Sequence, residues 1–404
     1  MTDASSEPQS LLNGRTVALY LTGFAALVGL YLPQPILPLL ARDFGVDAQR
    51  ASLLVSVAIL GIAVGSPVIG VLSDRFGRRR LLVLGASLLS GVSAMCALAP
   101  SFELFVALRF VLGLVLPTLL VVAVAAVSDA LPATRMRTVT GLYVAANVLG
   151  GMVGRVLGGA FAEHLDWRYG FALSAVLYLI LVPLWARLPA PGTLDPERTM
   201  LGVLRGTLGH LRNPATAGGI MVAFFLFFAF QATFTYLPFR LEAPPFLFSS
   251  TVIALVYLTY VAGMASSSLA GWFRARLGLR TGLVLGFVLT IVGNALTLTF
   301  GVSLLVVGLL VLCFGNWMVH GLALGYVATV APNDRAGANA LYLLLYYLGG
   351  SLGAYLPGFI FASLGYPGVI GASVAALAAG MAISARLRTS RGAMHVPAAG
   401  RADA

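Results

Sequence analysis

Three side chains in this very apolar sequence could bind or exchange charge, because each lies within an apolar run. Arg109 and Arg155 are arginines in such runs, and His320 is the only histidine in one. An arginine does not lose its proton in a protein, and placing it at the centre of a bilayer costs at least about 2.5 kcal/mol on insertion scales. Both arginines therefore require a protein acceptor, a water-filled cavity or an anionic ligand. A histidine has an ordinary pKa of about 6.5 and suits proton exchange.

The runs that carry these residues make up most of the chain. Hydrophobic residues account for 59% of the 404 residues and charged residues for only 10%, which is too little charge to cover a soluble surface. Twelve runs have about the 20 residues that a membrane-spanning helix needs. They lie at about 15–40, 51–72, 80–99, 102–127, 138–162, 168–187, 215–239, 249–271, 280–300, 302–328, 338–362 and 367–386. The sequence predicts an all-α membrane protein.

One longer polar interval, 188–213, divides the twelve runs into two groups of six. The predicted organisation is a cytoplasmic N-terminal segment (1–14), a six-helix bundle (15–187), a cytoplasmic linker (188–213), a second bundle (214–387) and a disordered cytoplasmic tail (388–404). Of the 25 cationic residues, all arginine, 19 fall in segments on the N-terminal side of the membrane. The positive-inside rule therefore predicts that both termini are cytoplasmic. The net charge of +11 does not indicate nucleic-acid binding, because no soluble basic face carries it.

The two groups of runs are related by an internal repeat. The loop after the second run reads Gly-Val-Leu-Ser-Asp-Arg-Phe-Gly-Arg-Arg from Gly70, and four of its residues recur 201 positions later in the loop after the eighth run. Asp74 does not recur, because Ala275 stands at the matching position. Four glycines of the fifth run (150, 151, 154 and 159) recur in the eleventh run at an offset of 199. Two six-helix halves of common ancestry explain both matches.

The loop at 70–80 resembles the major facilitator signature G-x-x-x-D-R-x-G-R-R. This resemblance implies twelve helices in two pseudo-symmetric six-helix bundles, with transport by alternating access around a central cavity. It also implies that Asp74 is a conformational latch on the cytoplasmic side, with Arg75 and Arg78 as its partners. Gly70 is expected to allow close approach of two helices, and Gly77 to permit a tight turn.

Two spans carry further motifs of this family. The stretch from Arg109 to Gly113 resembles its R-x-x-x-G motif, and 150–159 resembles its antiporter motif G-x-x-x-G-P-x-x-G-G, with Arg155 in place of proline. Short strings around Arg155, Arg168 and Tyr346 are similar to the YnfM-type group of bacterial inner-membrane transporters. That resemblance implies drug efflux by proton antiport.

The expected cavity is lined by polar or aromatic residues of several spans, with His320 as the candidate for proton coupling. The predicted cavity residues are Arg155, Arg109, Asn147, Gln34, Gln231, Tyr346 and Tyr347. Each has a structural alternative: Arg109 could snorkel to the outer interface, and His320 could be a hydrogen-bonded packing residue. No carboxylate lies well inside a span, which argues against cationic substrates and leaves the proton carrier open.

The expected function is secondary transport of a small organic compound across the bacterial inner membrane, with the resemblance implying proton-coupled efflux. Transport of an organic anion, with Arg155 or Arg109 as counter-charge, remains an alternative, and so does a receptor that binds without transport. The sequence contains no phosphate-binding Gly-rich loop followed by Gly-Lys-Ser/Thr, so ATP is not expected to drive the protein. No enzyme activity, cofactor or metal is predicted. The expected partners are the substrate, protons and membrane lipid around a monomer.

Overall fold

A computed structural model of the chain describes residues 13–128, 131–188, 200–331 and 334–387, and every regular element in these ranges is a helix. The predicted tail, 388–404, and residues 1–12 of the predicted N-terminal segment lie outside the described residues. The predicted domain boundaries stay predictions.

The first half consists of helices that pack mainly on one another. They are α1 (Gly14–Tyr31), α2 (Leu37–Asp43), α3 (Ala48–Phe76), α4 (Arg78–Ala97), α5 (Phe102–Val115), α6 (Ala123–Ser128), α7 (Ala133–His164) and α8 (Trp167–Arg187). A 3₁₀ turn at Gln34–Ile36 joins α1 to α2, and a π-helical turn at Thr118–Val122 joins α5 to α6.

The second half begins after a short helix in the predicted linker, α9 (Met200–Gly209), which lies beside both α3 and α16. Its helices are α10 (Pro214–Glu242), α11 (Ser250–Leu255), α12 (Tyr260–Ser268), α13 (Ala270–Leu277), α14 (Leu279–Leu296), α15 (Val302–Val330), α16 (Arg335–Tyr355) and α17 (Pro357–Arg386). A 3₁₀ turn at Val256–Thr259 joins α11 to α12. We call the side of the bundle at which α1 begins the inner side and the opposite side the outer side.

Eleven helical stretches in the described ranges are long and apolar enough to cross a membrane. The helix α16, which corresponds to most of the predicted eleventh span, has 21 residues but is not among these eleven. Non-helical backbone at Gly365 (φ 60°, ψ −157°) interrupts α17. This break lies between the predicted eleventh and twelfth spans, so the helix from Pro357 to the break belongs to the eleventh.

Proline explains the break in the first span. Pro33 follows α1 and has no N–H, so it cannot donate to the carbonyl of Gly29, four residues earlier. The chain passes through the 3₁₀ turn and resumes as α2. Where a helix is interrupted at membrane depth, its freed carbonyls need other hydrogen-bond donors. The donor to the Gly29 carbonyl is described with the candidate functional site.

The internal repeat is visible in the geometry of the inner loops. Gly77 (φ +89°) and Gly278 (φ +74°) both adopt positive φ and both end a helix, so the predicted tight turn at Gly77 is present. Arg79 donates to the carbonyl of Ala186, and Arg280 donates to the carbonyl of Leu387 at 3.0 Å. The second contact is the repeat of the first, because both of its residues lie 201 positions later in the chain. The two loops therefore fold alike, although only the first contains an acid.

The helix pairs α1–α7 and α10–α16 also repeat. A Cβ added at Gly150 or Gly154 would collide with carbonyl oxygens of α1, and a Cβ added at Gly349 or Gly353 would collide with carbonyl oxygens of α10. Glycine at these positions allows the helix backbones to touch. A Cβ at Gly70 would meet no atom within 4 Å in this conformation, so the close approach of two helices expected there stays a prediction.

Candidate functional site

The two halves are joined at their outer ends by polar contacts. Hydrogen bonds between them include Arg42 Nη1 to Glu242 Oε2 at 2.5 Å, Thr251 N to Glu163 Oε2 at 2.8 Å, and Ser56 Oγ to the Ser351 carbonyl at 2.8 Å. Backbone packing of Gly159 against Ser250 adds a further contact between the halves. The conformation is therefore closed on the outer side.

On the inner side the halves enclose a cleft of about 310 Å³. Its walls are α7 and α12, and its lining includes Thr140, Val144, Val148, Met264 and Ser268. Trp317, on α15, also lines it. The lining carries no charged side chain, and the volume is that of a small-molecule site.

Arg155 lies in the outer half of α7, as predicted, and is only 1% exposed. Its Nε donates to Gln34 Oε1 at 2.8 Å, and its Nη1 donates to the carbonyl of Gly151 at 2.8 Å. Gln34 is available because the 3₁₀ turn after Pro33 places it beside α7. Both acceptors are neutral. They solvate the guanidinium but leave its positive charge uncompensated.

Aromatic rings from both halves surround this guanidinium. Its central carbon lies 3.9 Å from the ring centroid of Tyr31, 4.7 Å from that of Tyr260 and 4.9 Å from that of Tyr257. Such cation–π contacts contribute about 2 kcal/mol or more each where water is excluded. Among the described residues, no carboxylate lies within salt-bridge distance of Arg155. We call Arg155, Gln34, Tyr31, Tyr257 and Tyr260 the arginine cage.

Arg109 is equally buried but has a different environment, and its role as a cavity residue stays a prediction. Its Nη1 and Nη2 donate to the carbonyls of Gly29 (2.9 Å) and Leu30 (2.5 Å), and its Nε donates to the carbonyl of Leu54 (2.8 Å). The Gly29 carbonyl is the one that Pro33 leaves without its helical donor. Arg109 is 0% exposed, so it does not snorkel to the interface either. It joins α1, α3 and α5 within the first half.

His320, on α15, is half-buried in the second half. Its Nδ1 lies 3.0 Å from the hydroxyl of Tyr342, and its ring lies 4.7 Å from that of Tyr346. Tyr346 also stacks on Phe227, with the centroids 3.9 Å apart. The histidine is thus part of an aromatic cluster on α10, α15 and α16, and a role in proton coupling stays a prediction.

The remaining predicted cavity residues occupy different places. Tyr347 belongs to the same aromatic cluster, 5.6 Å from Tyr346. Gln231, on α10, is 0% exposed, and neither polar atom of its amide has a hydrogen-bond partner among the described residues. Asn147 packs against α1 at Gly23. The structure thus brings Arg155 and Gln34 together by a direct hydrogen bond.

Sequence reasoning missed the tyrosines of the cage and Trp317. Tyr257 and Tyr260 are three residues apart, which places them on one face of a helical turn. That spacing was a usable signal within the eighth span. Tyr31 precedes Pro33 by two residues and offers no comparable pattern.

The predicted latch loop lies at the inner end of the first half. Arg78 donates to the carbonyl of Ala125 at 2.5 Å, so it holds the loop against α6. Arg75 is exposed. The latch role of Gly70, Asp74 and Arg75 stays a prediction.

Comparison with known proteins agrees with this architecture. The sequence profile of the Major Facilitator Superfamily matches residues 19–244, more than half of the chain. The chain belongs to the Major Facilitator Superfamily. Within this superfamily it is 29% identical to the uncharacterized MFS-type transporter YybF of Bacillus subtilis (strain 168), over 88% of this chain and 89% of YybF. It is also 29% identical to the inner membrane transport protein YnfM of Escherichia coli (strain K12), over 88% and 85%.

Solved structures of this superfamily share the fold. The nucleoside transporter NupG (D323A mutant) superimposes with a TM-score of 0.75 at 18% identity, covering 91% of this chain and 99% of NupG. The major facilitator fold and the similarity to YnfM, both predicted from the sequence, are confirmed. The chain is therefore an integral membrane transporter of this superfamily, and its similar proteins are transporters rather than enzymes.

Proposed function

We propose that the protein moves small organic compounds by alternating access and that Arg155 selects against cationic ones. The observation that carries this proposal is the uncompensated guanidinium at the interface of the halves. Its hydrogen-bond acceptors, Gln34 and the Gly151 carbonyl, are neutral. At low dielectric a positive charge strongly repels another cation nearby. The site therefore favours neutral and anionic substrates.

The division of the arginine cage between the halves supports alternating access. Arg155 and Tyr31 belong to the first half, whereas Tyr257 and Tyr260 belong to the second. Opening of the outer side by rocking of the halves separates the arginine from these two rings and exposes it to the outer medium. Closure covers it again. The counter-charge is thus exposed to the outer medium in one state and shielded from the outer medium in the other.

We propose export in exchange for protons, with the transporter as a monomer in the inner membrane and both termini in the cytoplasm. The support for exchange is the glycine motif of α7, which resembles the antiporter motif of the family. The support for the orientation is the excess of arginine on the inner side. His320 is the proposed proton-exchanging group, because no acid lies well inside a span.

The test is transport by purified protein in liposomes, with and without a pH gradient, using matched panels of lipophilic cations, neutral compounds and organic anions. Wild type is expected to transport neutral or anionic compounds and to depend on the gradient. Arg155→Ala should reduce transport by at least about tenfold, as loss of a buried charged contact does. Arg155→Lys should not restore full activity, because an ammonium lacks the planar, multi-donor geometry of guanidinium.

Two results would contradict the proposal. Transport of lipophilic cations that is unchanged in Arg155→Ala would show that the arginine does not select charge. Binding of a compound without accumulation under any gradient would indicate a receptor instead of a transporter.

A further inference from the structure

The arginine cage contains buried polar atoms that have no hydrogen-bond partner among the described residues. They are Nε2 of Gln34 and the hydroxyl of Tyr260, on side chains that are 0% and 4% exposed. A buried polar group without a partner costs about 1–3 kcal/mol, so native proteins rarely leave one unexplained. Two such atoms beside a buried arginine indicate a site for a bound molecule.

The chemistry of these atoms indicates the group that binds. The amide nitrogen of Gln34 can only donate a hydrogen bond, and the guanidinium of Arg155 has donors alone. The hydroxyl of Tyr260 can also donate, and it interacts electrostatically with Arg155. Donors around a positive charge bind an anionic oxygen acceptor, and arginine suits the planar carboxylate in particular. We propose that Arg155, Gln34 and Tyr260 form a carboxylate subsite for an aromatic carboxylate substrate.

The aromatic part of this substrate class follows from the surroundings of the cage. The ring of Tyr260 lies 5.3 Å from that of Trp317, which in turn lies 5.0 Å from Phe230. Trp317 is also part of the lining of the uncharged inner cleft. A flat ring in that cleft can pack on the indole while its carboxylate points towards the cage, and aromatic pairs contribute energy beyond burial alone. The inference rests on the proposed function and specifies its substrate class.

Two tyrosines of the cage provide a matched pair of variants. Tyr257 and Tyr260 both face the Arg155 guanidinium, at 4.9 Å and 4.7 Å. The Tyr257 hydroxyl already donates to the carbonyl of Phe234 at 2.8 Å, whereas that of Tyr260 has no partner among the described residues. Replacement by phenylalanine keeps either ring and removes one hydroxyl. Only the hydroxyl of Tyr260 should affect carboxylate binding.

The experiment measures binding of benzoate and of benzamide to purified wild type, Tyr260→Phe and Tyr257→Phe by titration calorimetry. These probes have the same ring and nearly the same size, but only benzoate carries a charge. Wild type is expected to bind benzoate at least about tenfold more tightly than benzamide, since a hydrogen bond to a charged group is worth that much. Tyr260→Phe should lower benzoate affinity about tenfold and leave benzamide nearly unchanged. Tyr257→Phe should leave the benzoate-to-benzamide ratio unchanged.

A third variant, Gln34→Glu, adds a carboxylate where the amide now accepts from Arg155. It should abolish benzoate binding while retaining a thermal unfolding temperature close to that of wild type. Equal affinity of wild type for benzoate and benzamide would overturn the carboxylate subsite, and so would equal effects of the two tyrosine variants. If Arg155-dependent transport of other neutral or anionic compounds persisted, the proposed function would survive this failure.

Discussion

The two halves of the transporter share their helix packing and differ in the side chains that they place inside. The first half carries charged residues at positions where the second half has uncharged ones: Arg109, Arg155 and Asp74 correspond to Leu309, Ala354 and Ala275 at offsets of 200, 199 and 201 residues. The second half instead carries most of the aromatic rings near the interface, including Phe230, Tyr260 and Trp317. Charge on one side and aromatic faces on the other make an asymmetric site from a symmetric scaffold.

Within the first half, the two buried arginines show that burial alone does not identify a functional charge. Arg109 has backbone acceptors on α1 and α3, and Arg155 has two neutral acceptors and aromatic faces from the opposite half. The first arrangement stays intact when the halves rock, because every partner moves with it. The same motion separates Arg155 from the aromatic rings of the opposite half. The partners of a buried charge therefore distinguish a structural role from a functional one.

The largest effect is expected for Arg109→Ala, which tests this distinction directly. Removing the guanidinium leaves carbonyls of α1 and α3 without donors, so the protein should lose about 2–3 kcal/mol of stability. Thermal unfolding in detergent measures this loss, and Arg155→Ala is the matched comparison. If Arg155→Ala destabilised the protein as much as Arg109→Ala, both arginines would be structural and the comparison would fail.

Asp74→Asn tests whether the acid found only in the first loop has a function. The protein should fold and insert normally, but its transport rate should fall at least about fivefold, the lower end of conformational coupling energies. The liposome assay measures this rate. Glu103→Gln, at the exposed Arg50 ion pair on the outer side, serves as a control and should transport like wild type. Full activity of a normally expressed Asp74→Asn protein would refute the latch role.

His320→Ala is expected to change the pH dependence of transport more than substrate affinity. His320 is the proposed proton-exchanging group, so its loss should flatten the dependence of the transport rate on pH. Tyr342→Phe removes the hydroxyl that contacts His320 at 3.0 Å while keeping the histidine, and it should retain the slope. An unchanged profile in His320→Ala would make the residue part of the aromatic packing in the second half.

The smallest effect is expected at the inner surface of the second half, where His210 meets Asp334 at 2.9 Å. The hydrogen bond from His210, together with one from the Gly337 N–H, lowers the pKa of Asp334 below its ordinary value of 3.8. A lowered pKa means that the stabilisation is present above about pH 4 and is lost as the pH falls through the folded-state pKa.

Asparagine can still cap α16, so Asp334→Asn removes mainly the charge. It should cost less than about 1 kcal/mol at pH 7, because the carboxylate is half exposed. The difference from wild type should shrink at pH 3. Thermal unfolding at the two pH values measures it, and an equal difference at both would exclude the charged contact as its cause.

The sequence predicted the parts of this molecule that depend on periodicity and spacing. The twelve spans, the repeated loops and the depth of Arg155 follow from hydropathy, glycine spacing and position in a run. The environment of Arg109 could not be predicted in the same way, since it depends on which carbonyl Pro33 leaves free and which helix lies opposite. The cage likewise needs rings from spans that are more than 100 residues apart in the chain, and no local pattern records that contact.

The glycine contacts between α1 and α7 also bear on how substrate range can evolve. Gly154 touches the backbone of α1 so closely that any side chain there would push the helices apart, and Arg155 is the next residue. The backbone contact at Gly154 therefore fixes the position of the neighbouring charge, and few substitutions are expected to be tolerated there. Tyr260 and Trp317 are held by side-chain packing, where substitutions of similar volume are better tolerated. Related transporters can thus be expected to diversify their substrates by exchanging the aromatic wall around an inherited charge.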